Sequence, residues 1–243
     1  MSKPTLVFSL GAWVIPAVYD ATRSRLDDLG YPSECPAHPS IGAEPPSKTL
    51  SDDVTSFRDV LIKLADEGRD LVVVGHSYGG VVTSCAVDGL SKQDRAKEGK
   101  LGGVIKVIYL AAFALDNGQS LLGMLGGQFL PWMKVEGDYV LADGAGDIGW
   151  HDIPLENQEK WNSLAQHTSR AVFSGEATYE PWHDIPCAYI VCEEDRALPP
   201  PFQELFASKM GGPKNIYRLP SSHSPFLSMP NRLAEVLQQA VEV

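Results

Sequence analysis

Apolar residues along this chain recur in two periods. Thr5–Ser9, Asp70–Val74, Val104–Ala112, Cys187–Cys192 and Asn215–Leu219 are short runs rich in Val, Ile and aromatics, and each predicts a buried strand. Between them the apolar positions fall at helical spacing. Val14–Leu29 reads as a helix opened by Pro16 and closed by Gly30. Val54, Phe57, Leu61 and Leu64 form one stripe, with Thr49 or Ser51 as cap, Asp52 and Asp53 in the first turn and Gly68 as the stop. Pro200–Met210 and Asn231–Val241 are two more helices, the last with Leu233, Leu237 and Ala240 on its apolar face. Tyr31–Pro46 carries five prolines and predicts a long loop with one short strand, and Ser91–Lys100 reads as a surface loop. Strands alternating with helices predict a mostly parallel sheet covered on both faces.

The alternation fails from Asp116 to Trp182, where glycines, aromatics and short helical pieces (Gln119–Leu130, Leu155–Gln166) replace it. This stretch predicts a helical cap over the C-terminal edge of the sheet. The expected organisation is a core of residues 1–115 and 183–243 with residues 116–182 as the cap. No internal repeat or low-complexity segment interrupts the pattern.

One junction of strand and helix carries chemistry. In Leu71-Val72-Val73-Val74-Gly75-His76-Ser77-Tyr78-Gly79-Gly80, a β-run stops at a glycine, and the small-residue helix Val81–Val87 follows. That is Gly-x-Ser-x-Gly in the strand–turn–helix context that a nucleophile elbow needs. The turn is sharp enough to strain the serine backbone and to require Gly75 and Gly79 beside it. It lifts the hydroxyl above the sheet and aims the Tyr78 N–H at any oxygen that becomes negative on attack.

A serine hydroxyl is a poor nucleophile at neutral pH and needs a base and an orienting acid. For an elbow of this kind the chain order is serine, acid, histidine. His223 lies in the small-residue loop Pro220–Pro225 after the last strand, and Asp195 lies just past the strand ending at Cys192. Glu193 and Glu194 compete with Asp195 from the same loop, and Asp116 competes from the end of the preceding strand. The second oxyanion donor belongs to the first strand-to-helix loop, Phe8–Trp13, where the N–H of Ala12 is the candidate and Gly11 allows close passage. His76 reads as a structural hydrogen-bonding residue and Cys85 as core packing. Leu10, Trp13, Trp132 and Trp150 are candidate pocket residues, with Trp161 and Trp182 packing the cap. The cap histidines His151, His167 and His183 read as packed or solvated.

The chain resembles the α/β-hydrolase superfamily, and within it the small single-domain esterases that include plant methylesterases and hydroxynitrile lyases. The resemblance runs nearly end to end, through Gly11-Ala12-Trp13, Asp52-Asp53 to Gly68, the elbow, Glu194–Pro199 and His223–Ser228. It implies the α/β-hydrolase fold, with the cap after the sixth-strand position. It also implies a Ser77–His223–Asp195 triad cleaving an ester, with neither cofactor nor metal. Two departures stand out. Leu10 replaces a histidine found in many relatives, which predicts an apolar pocket floor. Ser224 replaces the lysine that follows the catalytic histidine in plant hydroxynitrile lyases, which argues against cyanohydrin cleavage.

Composition narrows the partners. Twenty Lys and Arg against 31 Asp and Glu give a net charge of −11, which disfavours nucleic acid and anionic membranes. Cys35, Cys85, Cys187 and Cys192 lack metal-ligand spacing and read as free thiols, with the cytoplasm as the default location. Thr5–Leu10 is too short for a signal segment, and no run approaches the ~20 apolar residues of a membrane span. The partner expected is a small-molecule substrate, and homodimerisation is left open. The reading is a serine hydrolase acting on a small apolar, aromatic or cyclic ester. Its rivals are a lyase using the same triad for acid–base chemistry and a non-catalytic ligand receptor. An aspartate-elbow hydrolase is disfavoured by Ser77, and a nucleotide-binding fold by the missing glycine-rich phosphate loops.

Overall fold

The computed structural model describes residues 3–242; Met1, Ser2 and Val243, which the expected core also includes, lie outside the described residues. In chain order the elements begin with β1 (Thr5–Ser9), α1 (Asp20–Asp28), β2 (Ser33–Glu34), α2 (Leu50–Asp66) and β3 (Asp70–His76). They continue with α3 (Gly79–Ala86), α4 (Lys92–Lys97) and β4 (Gly103–Leu110). After an intervening segment come β8 (Cys187–Cys192), α8 (Pro200–Ala207), β9 (Ile216–Leu219), α9 (Pro225–Ser228) and α10 (Pro230–Glu242). The intervening segment holds α5 (Leu121–Met124), β5 (Met133–Glu136), β6 (Tyr139–Ala142), α6 (Ala145–Gly149), α7 (Leu155–Leu164) and β7 (Thr168–Ser169).

The main sheet has the order β2-β1-β3-β4-β8-β9 and every pairing in it is parallel. Because strand side chains alternate, the apolar runs divide between two faces. Val7, Val73, Val107 and Tyr189 join Phe57 and Leu61 of α2 and Val82 of α3. Leu6, Phe8, Val74 and Ile190 join Leu26 of α1 and Leu233 of α10. The chain leaves β1 for β2 on one side and returns past β1 to β3 on the other. The loops at the carboxyl ends of β1 and β3 therefore diverge, opening a crevice where α/β sheets bind ligands.

Several expected elements differ in form. Pro16 opens a 3₁₀ turn over Pro16–Tyr19, and the α-helix proper starts only at Asp20. The polar stretch expected as loop holds α4, whose cap Ser91 accepts the Asp94 N–H at 3.0 Å. The helix expected over Gln119–Leu130 shrinks to α5, because Gly126 and Gly127 take positive φ. The cap expected to be helical contains a three-stranded antiparallel sheet, β5-β6-β7, together with its short helices. It follows β4, which is fourth in the described six-stranded order, and precedes β8.

Candidate active site

Ser77 sits between β3 and α3 with φ of 54°, a left-handed conformation that a non-glycine residue adopts only under constraint. The constraint is the close passage of α3 over the β1 loop. A Cβ on Gly79 would collide with the Ser9 and Leu10 carbonyls, and one on Gly75 would lie 2.8–2.9 Å from Thr83, Gly79 and Gly80. Only a side chain that is absent fits at both positions.

His223, after β9, and Asp195, after β8, meet side by side: His223 Nδ1 lies 2.6 Å from Asp195 Oδ2. Asp195 is held before it reaches the imidazole. Its Oδ1 accepts the Ala197 and Leu198 N–H groups, both at 2.8 Å, and its Oδ2 accepts Gln203 Nε2 at 3.0 Å. Gln203, fully buried on α8, also takes the Cys192 N–H at 2.9 Å on its Oε1. The carboxylate is thus fixed in position and acceptor-only, the state that holds Nδ1–H toward it and leaves Nε2 free. Ser77 and His223 line one cavity; no hydrogen bond joins Ser77 Oγ to His223 Nε2 among the described residues. Such contacts commonly tighten only when substrate binds.

The N–H groups of Ala12 and Tyr78 find no acceptor among the described residues, and both residues line the same cavity. His76 behaves as a structural residue. Its Nε2 is 2.9 Å from the His223 carbonyl, so that nitrogen carries the proton. Its Nδ1 is buried without a partner, against Gly11. Burial, with His223 nearby, holds the His76 ring well below its ordinary pKa and keeps it neutral.

Trp13, Trp132 and Trp150 line the cavity together with Phe113, Leu130 and Phe173. Leu10 does not. It is fully buried with Leu6 and Phe8 on the opposite face of the sheet, because the alternation of β1 carries on to Leu10 before the loop turns Ala12 and Trp13 the other way. Trp161, half-buried, packs against the second core beside Val14, Val18 and Leu227, and Trp182 lies by Tyr109 and Lys209. The competing acids are elsewhere. Asp116 pairs with Lys209, Glu193 faces Arg218 at 3.9 Å, and Glu194 is exposed. His151 and His167 bond to the Glu194 and Ala43 carbonyls, and His183 pairs with Glu180. Cys85 is buried in α3 with its sulfur accepting the Thr178 N–H, and all four cysteines are free.

Three supporting residues escape a reading of motifs. Gln203 is a polar residue on the buried face of α8, and Asp53, fully buried, is an acid on the apolar stripe of α2. Asp152 accepts the Ser222 N–H at 2.9 Å and so braces the His223 loop from the intervening segment. For the first two the signal was present: a polar residue in register with an apolar stripe.

The family model for the alpha/beta hydrolase family matches residues 6–236. An alpha/beta hydrolase, nvfD, of Aspergillus novofumigatus is 33% identical over 99% of this chain and 97% of its own length. A carbendazim hydrolyzing esterase of Nocardioides sp. is 28% identical over 93% of this chain and 95% of its own. The structure of an Arabidopsis methylesterase superposes with a TM-score of 0.76 at 20% identity, covering 98% of this chain and 99% of that one. The chain belongs to the alpha/beta hydrolase family.

Proposed function

We propose that this hydrolase is a serine esterase for an uncharged, apolar ester bearing an aromatic or cyclic group. The observation that carries the reading is the fixed Asp195–His223 pair opening, with Ser77, onto one apolar cavity. In that role Ser77 Oγ attacks the ester carbonyl carbon while His223 Nε2 takes the hydroxyl proton. The Ala12 and Tyr78 N–H groups receive the oxyanion. Collapse of the tetrahedral intermediate breaks the bond to the alkoxide, which leaves as alcohol with the proton from His223. Water, deprotonated by the same imidazole, then attacks the acyl-enzyme; the acid departs and Ser77 regains its proton. Asp195 orients the ring and stabilises the imidazolium without taking the proton.

The lining argues for a neutral substrate. Apart from Ser77, Ser224, Tyr78 and the two histidines it is apolar or aromatic, and a charged group there would lose its hydration without a partner. The same lining supports a cap role for residues 116–182, which contribute Leu130, Trp132, Trp150 and Phe173. The carbendazim hydrolyzing esterase among the relatives is consistent with esterase activity here.

The test is intact mass after treatment with a fluorophosphonate, on the native protein, Ser77→Ala and His223→Ala. The expected result is one adduct on the native protein and none on either variant. A folded native protein that takes no adduct overturns the acyl-enzyme mechanism.

A further inference from the structure

The two uncommitted N–H groups at Ala12 and Tyr78 belong to separate loops, yet a run of buried polar side chains connects them. Tyr78, 1% exposed, donates its hydroxyl to Asp53 Oδ2 at 2.7 Å. That fully buried carboxylate also accepts the Ser40 hydroxyl at 2.6 Å and, on Oδ1, the Ser40 N–H at 2.9 Å. The Ser40 carbonyl accepts the Ser169 N–H at 3.0 Å and its hydroxyl at 3.3 Å. Next to Ser169, Thr168 accepts the Trp13 N–H on Oγ1 at 2.9 Å. Ser40, Asp53, Thr168 and Ser169 are all fully buried.

Trp13 is the residue after Ala12, and its φ of 68° is a left-handed conformation that a bulky residue leaves unless held. It is held on three sides. Besides Thr168, the Gln166 N–H reaches its carbonyl at 2.8 Å, and its indole N–H reaches the Val140 carbonyl at 2.8 Å. A second strut runs beneath: His38 Nε2 lies 3.1 Å from Ser9 Oγ, at the end of β1, with the His38 ring edge-on to Tyr78.

We propose that this belt, Tyr78–Asp53–Ser40–Ser169–Thr168–Trp13, sets the separation and direction of the two oxyanion donors, with Asp53 and Thr168 as positioning residues. The inference rests on the esterase reading and on Ala12 and Tyr78 as the donors. Its physical content is geometric. An oxyanion hole works only with donors about 2.7–3.1 Å from the developing charge, and misplacement by ~1 Å costs on the order of 10²-fold in rate. With Thr168 unable to accept the Trp13 N–H, Trp13 relaxes toward extended φ and the Ala12–Trp13 peptide turns, which re-aims through Ala12 the Gly11–Ala12 peptide that carries the donor N–H. Without the Tyr78 hydroxyl, its ring is free to shift and the backbone after Ser77 moves with it. Part of the belt, Thr168 and Ser169, comes from β7 in the intervening segment, so that segment supports the chemistry and does not only cover it.

The test compares Thr168→Val, Thr168→Ser and Tyr78→Phe with the native protein and Ser77→Ala. The readouts are kcat and KM on p-nitrophenyl butyrate, the pH–rate profile, and thermal melts to establish folding at the assay temperature. Expected is a fall in kcat of about 10- to 100-fold for Thr168→Val and Tyr78→Phe, with KM within about threefold, because the interaction lost acts on the transition state. The pH profile stays in place, since the Asp195–His223 pair is untouched. Thr168→Ser restores most of the rate although it loses the methyl group that valine keeps. Wild-type kcat in folded Thr168→Val and Tyr78→Phe overturns the belt, as does a serine variant as slow as the valine one. Should Tyr78→Phe fail to fold, the Thr168 pair decides, because it leaves all three donors to Asp53 in place. Turnover surviving in Ser77→Ala overturns the esterase reading itself; turnover lost there but native in Thr168→Val overturns the belt alone.

Discussion

Asp195 is a carboxylate whose neighbours are chosen for one geometry. Two backbone N–H groups and Gln203 fix it before His223 completes the set. Asn at this position keeps the size but offers Nδ1 a donor or a weaker acceptor, so the imidazole tautomer is no longer specified. Asp195→Asn is expected to lower kcat on a p-nitrophenyl ester by about 10³–10⁴-fold while the melting temperature changes little. A fall of less than tenfold would move the acid elsewhere, with Asp116 and Glu194 next to be substituted. Gln203 separates orientation from charge. Gln203→Leu keeps the volume, leaves the Cys192 N–H unpartnered and removes one donor from Asp195. The expected outcome is a stability loss of about 1–3 kcal/mol in urea titrations and a rate loss well short of that of Asp195→Asn. Equal rate losses would make Gln203 as important as the acid itself and contradict its role as a support.

At the scale of elements, the β3–α3 junction has the least tolerance. Gly79→Ala would drive a Cβ into the Ser9 and Leu10 carbonyls, which belong to the backbone of the central sheet and cannot turn aside. It is expected to cost about 3 kcal/mol, read as a lower urea midpoint, with loss of fluorophosphonate labelling. The capping box of α2 is the opposite case. Thr49 accepts the Asp52 N–H and Asp52 receives the Thr49 N–H, at an exposed end. Thr49→Ala is expected to cost only about 1 kcal/mol and to leave the rate unchanged, provided the first turn still carries Asp53 to Ser40 and Tyr78. These contrasts explain what the sequence made legible. Strands buried on both faces, the elbow and the late loops with Asp195 and His223 were readable because local pattern and covalent order determine them. The intervening segment was not. Met133–Glu136 does alternate before Gly137-Asp138, a hairpin turn pair, but Tyr139–Ala142 is a plain apolar run, and with strands of only four residues the signal is outweighed by the helical-looking pieces around it. Leu10 lies off the pocket because period-2 alternation sends it with Phe8 to the far face, a local rule that outranks its place beside the Gly11 loop. From its position in the first turn of α2 Asp53 is a helix-end acid; only tertiary contact with Ser40 and Tyr78 gives it another meaning.

Over the whole molecule, burial of titratable groups sets a pH window for stability. His76 and His38 are fully desolvated, and burial holds both below their ordinary value of 6.5; His223 adds to the effect at His76, while Asp53 opposes it at His38. In the unfolded chain both protonate near pH 6.5, but in the folded protein they do not. As pH falls below about 6.5 the unfolded state therefore binds protons that the native state refuses. Each histidine then removes about 1.4 kcal/mol per pH unit until its own folded pKa is reached. The alkaline flank has the reverse sign. Burial raises Cys35 and Cys187 from 9.0 to about 12 and pushes Cys192 up further. It also lifts Tyr19, Tyr78, Tyr109 and Tyr189 well above 10.0. Above pH about 9 the unfolded chain releases protons that the native protein keeps, and stability declines again. Net charge acts against the acid limb, since a chain at −11 loses self-repulsion as pH drops. That repulsion is spread over the surface and screened within about 8 Å at 0.15 M salt, whereas the two histidines are inside, so desolvation wins. Urea midpoints at 0.15 M salt between pH 5.5 and 10 are expected to plateau from about 6.5 to 9. From pH 6.5 down to 5.5 the slope should show proton uptake on unfolding, led by His76 and added to by His38, above the range where carboxylates titrate. A midpoint as high at pH 5.5 as at 7.5 would mean that the native protein accepts those protons, and that burial does not keep His76 and His38 neutral.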